Sequence, residues 1–172
     1  MQENHNQEQY FFEPGTLEHL GDFLLGRGRV CCLCAPMLGK WLAENGGADV
    51  TILDIDERFA DVPGFRKFDL NRLEYLDMRF DLIVCDPPFF NVGLRQLFAA
   101  VRAVGRFNYG QQMLVSYLER RREAFLHTFS PFGLEGTGYF PKYDTVQDTE
   151  RNQIEFFGNL GPKAHAELFG GN

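Results

Sequence analysis

Short apolar runs alternate with amphipathic segments over the first two thirds of the chain. Near-continuous apolar runs at Val30–Cys34, Val50–Leu53 and Phe80–Cys85 are typical of strands that are buried on both faces. Segments with helical spacing of their apolar residues, such as Pro14–Leu25 and Val92–Val104, lie between these runs. Strands that alternate with helices predict a parallel sheet covered on both sides.

The remaining elements continue this alternation until the last third of the chain, where it stops. Further helices are predicted at Leu38–Glu44, Arg58–Ala60 and Tyr117–Phe129, and further strands at Phe65–Phe68 and Met113–Ser116. The last two strands, Phe132–Tyr139 and Gln153–Phe157, have no helical pattern between them, so we expect them to pair as antiparallel neighbours. The predicted α/β fold is therefore a Rossmann-like, doubly wound, mostly parallel seven-stranded sheet with an antiparallel last strand.

Length and composition are those of one domain. We expect a single domain over residues 1–172, with flexible tails at residues 1–9 and 170–172. No apolar stretch approaches the roughly 20 residues that cross a membrane, and the N-terminus has no signal-peptide pattern. The cysteines Cys31, Cys32 and Cys34 lie in an apolar run and are interpreted as buried, reduced thiols rather than metal ligands. A cytoplasmic protein without membrane contact is expected.

The formal net charge is −7 at pH 7, which argues against a broad, non-specific affinity for polyanions. It does not exclude a nucleic acid substrate, because a local basic patch or a partner subunit could supply affinity. The basic cluster Arg120-Arg121-Arg122 lies between Glu119 and Glu123 in a predicted helix. This arrangement favours a solvated helix face whose charges pair with one another.

The tetrapeptide Asp86-Pro87-Pro88-Phe89 directly follows a predicted buried strand. A proline donates no backbone hydrogen bond, so the carbonyl groups around Pro87 and Pro88 are free acceptors on a stiff backbone. Asp86 adds a charged acceptor, and Phe89 adds a flat apolar face. Such a group can bind the two N–H donors of a planar amine and leave the nitrogen lone pair directed at an electrophile.

Other predicted strand ends supply a second binding region at the same edge of the sheet. Asp54, at the end of the second strand, is well placed to accept hydrogen bonds from both hydroxyl groups of a ribose. Asp69, followed by Leu70, could accept from an adenine amino group. Asp56 could be a further ligand, or it could cap the helix that follows it.

The loop after the first strand lacks the glycine pattern that dinucleotide-binding folds use to approach a pyrophosphate. Gly39 is the only glycine in Ala35–Gly39. A dinucleotide is therefore disfavoured, whereas a cofactor without phosphate groups, such as S-adenosylmethionine, asks less of this loop.

These segments together resemble class I S-adenosylmethionine-dependent methyltransferases. The similarity is greatest to the family of probable N6-adenine methyltransferases, which includes the zinc-CCHC-type ribosomal-RNA adenine methyltransferase and the elongation factor 1-alpha lysine methyltransferases. It covers nearly the whole chain and rests on these segments: Gln9–Phe12, Cys34-Ala35-Pro36, Asp54–Phe59, Phe65–Asn71 and Asp86–Phe89. Only the last of them is specific to the methylation of amino nitrogens.

The resemblance implies an enzyme whose cofactor is S-adenosylmethionine. The implied cofactor-binding residues are Cys34, Ala35, Pro36, Asp54, Asp56, Asp69 and Leu70, and the implied catalytic residues are Asp86, Pro87, Pro88 and Phe89. The expected acceptor is the N6 amino group of adenine in RNA or DNA. A lysine of a basic protein is the alternative acceptor. A third hypothesis is that the chain is a catalytically inactive scaffold. A partner subunit that contributes to substrate recognition is a further expectation.

Overall fold

One seven-stranded sheet organises the protein, in a computed structural model that describes residues 1–47 and 49–170. Residues 171 and 172 of the predicted C-terminal tail lie outside the described residues. The strands are β1 (Val30–Leu33), β2 (Val50–Asp54), β3 (Phe65–Lys67), β4 (Leu82–Cys85), β5 (Met113–Leu118), β6 (Glu135–Gly136) and β7 (Ile154–Gly158). Their order in space is β3-β2-β1-β4-β5-β7-β6. Strands β1 to β5 are parallel and β7 is antiparallel to its neighbours, which confirms the predicted sheet.

The order of the strands reverses beside β1, and this reversal determines where a ligand can bind. Val30 of β1 pairs with Val50 of β2 on one side and with Leu82 of β4 on the other. The chain proceeds from β1 outward to β2 and β3, and then returns to the other side of β1. A crevice therefore opens beyond the carboxyl ends of β1, β2 and β4, where open α/β sheets bind their ligands.

Helices flank the sheet. Those in the described residues are α1 (Pro14–Leu24), α2 (Pro36–Glu44), α3 (Leu94–Val104), α4 (Arg122–Thr128) and α5 (Pro162–Phe169). Three of them begin with a proline, which suits the first helical position because that N–H has no partner within the helix. Among residues 1–47 and 49–170, every helix is too short or too polar to cross a lipid bilayer.

Three C-terminal segments differ from the sequence prediction. Tyr117 and Leu118 continue β5, where they pair with β7, instead of beginning a helix. The ladder extends because both side chains are almost completely buried there. Strand β6 is shorter than predicted because Gly133 and Gly138 adopt left-handed φ angles of +66° and +77°, which interrupt an extended backbone. Helix α5 was not predicted at all.

The centre of the sheet is closely packed, and the cysteines take part in that packing. All residues of β1, β4, β5 and β7 are buried. Cys31, Cys32 and Cys85 are free and buried, as the apolar run predicted for the first two. Burial raises the pKa of Cys32 to about 12, so this thiol stays protonated and unreactive.

We predict that Gly39→Ala destabilises the protein by about 1–3 kcal/mol, because α2 packs closely on β2 at this point. A Cβ atom at residue 39 would lie 2.4 Å from Cγ1 of Ile52. The free energy of unfolding in urea checks this. Gly15→Ala is the matched control, since a Cβ there has no neighbour within 4 Å. Equal stability of the two variants would contradict this packing.

Candidate active site

One cavity lies over the carboxyl ends of β1, β2 and β4. The predicted site residues that line it are Cys34, Ala35, Pro36, Asp54, Asp69, Leu70, Asp86, Pro87, Pro88 and Phe89. Asp56 is the one predicted site residue that does not. The fold thus brings together residues from the ends of four strands. The two that are farthest apart in the sequence, Cys34 and Phe89, are separated by 55 positions.

The Asp86 carboxylate is held by hydroxyl groups from two other parts of the chain. Asp86 follows β4, and its backbone N–H donates to the carbonyl of Leu33 at 3.1 Å. Its Oδ1 accepts from the hydroxyl of Ser116 on β5 at 2.5 Å and from the hydroxyl of Tyr143 at 2.7 Å. Its Oδ2 accepts no hydrogen bond within the described part of the chain. One carboxylate oxygen is thus fixed, and the other is available to a donor in the cavity.

The surroundings of Asp86 shift its titration toward neutral pH. Burial raises its pKa to about 7, although the hydrogen bonds from Ser116 and Tyr143 lower it, and the charge of Asp54 adds to the rise. Burial and the nearby Asp86 charge raise the pKa of Tyr143 well above its usual value. Tyr143 therefore remains a protonated donor, while Asp86 changes its charge near pH 7.

The residues after Asp86 complete an acceptor group with a rigid backbone. The carbonyl of Pro87 accepts no hydrogen bond from the residues that the structure describes. The half-buried ring of Phe89 packs edge-to-face on Tyr117, with 5.5 Å between the ring centroids. The backbone N–H of Phe90 donates to Oε2 of Glu8 at 2.9 Å, which ties this loop to the N-terminal segment.

Two carboxylates lie on the other side of the cavity. Asp54 ends β2 and is 7% exposed; its Oδ1 accepts from the N–H of Asp56 at 2.8 Å. Burial raises the pKa of Asp54 to about 6. The Oδ1 of Asp69 accepts from the N–H of Asn71 at 2.9 Å, which fixes the turn beyond β3. Next to Asp69, Leu70 supplies a buried apolar wall.

Asp56 is engaged outside the cavity, contrary to the ligand role proposed from the sequence. The Arg58 guanidinium binds its carboxylate at 2.7 Å, and the amide of Gln9 donates to it at 2.8 Å. Asp56 also accepts from the backbone N–H of Arg58 and caps the turn Glu57–Phe59, the alternative that the sequence left open. The hydrogen bond from Arg58 holds the pKa of Asp56 below its usual range despite partial burial.

The first loop makes its turn without glycine. Cys34 adopts a left-handed φ of +57° and donates its N–H to the carbonyl of Leu53 at 2.9 Å. This conformation costs a side-chain-bearing residue on the order of 1 kcal/mol. Ala35 follows at once as the N-cap residue of α2, which begins at Pro36. The loop therefore presents small apolar residues to the cavity.

The N-terminal segment, predicted to be a flexible tail up to residue 9, lies against the cavity in this structure. Residues 6–12 line it. Glu3 accepts from the hydroxyl of Thr145 and from the N–H of Phe11, while Phe12 forms an antiparallel bridge with Tyr143. The contacts with Thr145 and Tyr143 join residues that are far apart in the sequence, so hydrophobic periodicity gives no sign of them.

Sequence reasoning missed the role of the two residues that hold Asp86. Ser116 is the one polar side chain besides the phenol of Tyr117 in the run Met113–Leu118, and a buried hydroxyl normally has a hydrogen-bond partner. That signal was available, although it could not identify the partner. No sequence pattern indicates the role of Tyr143, because its contact with Asp86 depends on the path of the loop before β7.

Comparison with known proteins identifies one protein family. The sequence model of the family described as probable N6-adenine methyltransferases matches residues 3–160. EEF1A lysine methyltransferase 1 of Gallus gallus is 42% identical over 73 residues. That matched stretch covers 37% of this chain and 34% of the relative, so it spans about a third of the relative's length.

Solved structures share the fold at low sequence identity. A presumed RNA methyltransferase from Pyrococcus horikoshii superposes with a TM-score of 0.64 at 16% identity, covering 91% of this chain and 88% of that one. The N-methyltransferase NodS from Bradyrhizobium japonicum WM9, in complex with S-adenosyl-L-homocysteine, has a TM-score of 0.56 at 14% identity and covers 91% of each chain. These similarities concern the fold alone.

We predict that Tyr143→Phe raises the pKa of Asp86 by about one unit, because the ionised carboxylate loses a hydroxyl donor. The carbon-13 chemical shift of the Asp86 carboxyl group, followed against pH by NMR, measures it. Tyr139→Phe is the matched control, a second buried tyrosine near this loop that does not contact Asp86. An unchanged pKa of Asp86 in Tyr143→Phe would contradict the hydrogen bond from the Tyr143 hydroxyl to this carboxylate.

Proposed function

The chain belongs to the family of probable N6-adenine methyltransferases, and on this premise we propose that it is an S-adenosylmethionine-dependent methyltransferase that methylates the N6 amino group of adenine in nucleic acid. One observation carries the proposal. Asp86, Pro87 and Phe89 line one cavity, and among the described residues neither the Oδ2 of Asp86 nor the carbonyl of Pro87 accepts a hydrogen bond. Two acceptors beside an apolar ring suit an amino group on a flat heterocycle.

The other side of the cavity suits the cofactor. When bound, S-adenosylmethionine supplies a methyl group that its sulfonium already activates. Asp54 would accept hydrogen bonds from ribose hydroxyl groups, and Asp69 from the adenine amino group. Ala35 and Pro36 leave no glycine-rich cradle for phosphate groups, which fits a cofactor that has none. Leu70 would pack against the apolar part of the ligand.

Asp86 would act on the acceptor amine in two ways. Its Oδ2 accepts an N–H hydrogen and so stabilises the positive charge that grows on the nitrogen during attack. The nitrogen gains a methyl group and loses one proton, which the same oxygen can take because its pKa is about 7. Ser116 and Tyr143 keep the carboxylate oriented through Oδ1. Much of the rate would come from this orientation.

Phe89 would hold the acceptor base. An adenine inside a duplex or a stack cannot reach a recessed cavity, so it must swing out of the stack first. Tyr117 fixes the Phe89 ring by edge-to-face packing, and a fixed ring orders the base at a smaller entropic cost. RNA and single-stranded DNA meet this requirement more easily than duplex DNA does.

A lysine side chain of a protein is the second candidate acceptor. It is supported by the 42% identity over 73 residues to EEF1A lysine methyltransferase 1 and by the net charge of −7, which suits a basic protein surface. The same acceptors would bind a neutral lysine amine. With lysine, the rate should keep rising above pH 8, because a lysine amine has a pKa near 10.4.

We predict that Asp86→Asn lowers methyl transfer at least 100-fold and leaves cofactor binding unchanged, because the amide cannot take the amine proton. Transfer from radiolabelled S-adenosylmethionine measures the rate, and calorimetry measures binding. In the wild type, kcat/KM should rise as the pH passes about 7, where Asp86 ionises, and this rise should be absent in the variant. Asp61→Asn, at an exposed carboxylate, is the control. Full activity of Asp86→Asn would refute the mechanism.

A labelling experiment separates the acceptors. A cell extract is incubated with the protein and radiolabelled S-adenosylmethionine, and portions are then treated with nuclease or protease. We expect nuclease to release the label and protease to leave it in place. Release of the label by protease alone would establish a protein lysine as the acceptor. Label in neither fraction, despite cofactor binding, would indicate an inactive scaffold.

A further inference from the structure

Three consecutive arginines follow β5 beside the catalytic loop. Strands β4 and β5 are parallel neighbours, with Cys85 paired to Val115, so the residues that follow each strand emerge at the same edge of the sheet. The turn Glu119–Arg121 comes directly after β5, as Asp86 comes directly after β4. These arginines therefore lie next to the acceptor side of the cavity.

Only one of these arginines is neutralised by a neighbour. The Arg122 guanidinium binds Glu119 at 3.1 Å and Glu155 at 3.0 Å. Arg120 and Arg121 have no carboxylate within 4.0 Å among the residues described by the structure. The sequence interpretation of an internally paired helix face thus applies to Arg122 but not to its two neighbours. Two positive charges thus have no carboxylate partner in the part of the chain that the structure describes, although the net charge of the chain is −7.

An exposed aromatic ring accompanies these two charges. Phe90 is 68% exposed, although it directly follows the partly buried Phe89. The Arg120 guanidinium carbon lies 5.9 Å from the centroid of the Phe90 ring, and that of Arg121 lies 5.5 Å from the centroid of the Tyr117 ring. The hydrogen bond from the Phe90 N–H to Glu8 fixes the backbone beneath the exposed ring.

We infer that Arg120, Arg121 and Phe90 form a binding surface for the single-stranded nucleic acid that flanks the target base, an inference that rests on the proposed adenine acceptor. The two guanidinium groups bind backbone phosphates, and the Phe90 ring stacks on a neighbouring base. A lysine-bearing basic protein would instead meet two uncompensated positive charges at this edge. The surface therefore favours a nucleic acid over a basic protein.

The salt dependence of binding tests this surface without relying on catalysis. A fluorescein-labelled single-stranded RNA of mixed sequence is titrated with the full chain, and fluorescence anisotropy is recorded over a range of salt concentrations. For Arg120→Gln with Arg121→Gln, the slope of log affinity against log salt should fall by about 1.4, since each phosphate contact with a single strand contributes about 0.7. Affinity at low salt should fall roughly tenfold.

Two further variants sharpen the result. Arg79→Gln, an exposed arginine just before β4 and thus at the opposite edge of the sheet, should keep the wild-type slope. Phe90→Ala should weaken binding while leaving the slope unchanged, because stacking involves no counterions. An unchanged slope in the double variant, an equal change in Arg79→Gln, or no binding by the wild type would each overturn the inference.

The outcome is distinguishable from a failure of the proposed function. The slope of the double variant could be smaller than that of the wild type, as expected, while the wild type transfers no methyl group to adenine. In that case the binding surface is supported and the adenine acceptor is wrong. If the double variant binds RNA as the wild type does but methylates a lysine peptide less well, the surface serves a protein, and the inference is wrong.

Discussion

The candidate site depends on one partly buried carboxylate that is held by hydroxyl groups from two other segments. Asp86 comes from the end of β4, Ser116 from the neighbouring strand β5, and Tyr143 from the loop that leads into β7. The three meet only because β5 lies beside β4 and because β7 returns antiparallel along β5. The loop that precedes the reversed last strand therefore carries a hydrogen-bond donor to the Asp86 carboxylate.

This arrangement lowers the stability of the folded protein and gives it a carboxyl group that titrates near neutral pH. Because burial raises the pKa of Asp86 to about 7, above its unfolded value near 3.9, the folded state binds a proton more tightly than the unfolded state. Stability therefore falls as the pH rises between these values, and the cost is fully present above pH 7. Cys34 adds a second cost through its left-handed backbone. Both costs occur at the cavity, where function competes with stability.

Local pattern was sufficient to predict the sheet and most of the cavity. Buried parallel strands show as continuous apolar runs, and ligands bind at their carboxyl ends, so Asp54, Asp69 and Asp86 could be placed near one another in advance. The role of Asp56 could not be assigned from the sequence, because a ligand and a helix cap have the same sequence signature. The contacts of Glu8 and Tyr143 depend on how the loops and the N-terminal segment run through space, and no periodicity encodes these paths.

In the proposed function, the acceptor group of Asp86 and Pro87 fits an amino nitrogen and is less selective for the molecule that carries it. The central claim is that Asp86 and Pro87 bind the amine that receives the methyl group. Mass spectrometry of the methylated acceptor, after hydrolysis to nucleosides or amino acids, tests this most directly because it identifies the modified atom. The account predicts a methyl group on an exocyclic amino nitrogen, N6 of adenine. A methyl group on a carbon, an oxygen or a ring nitrogen would contradict it.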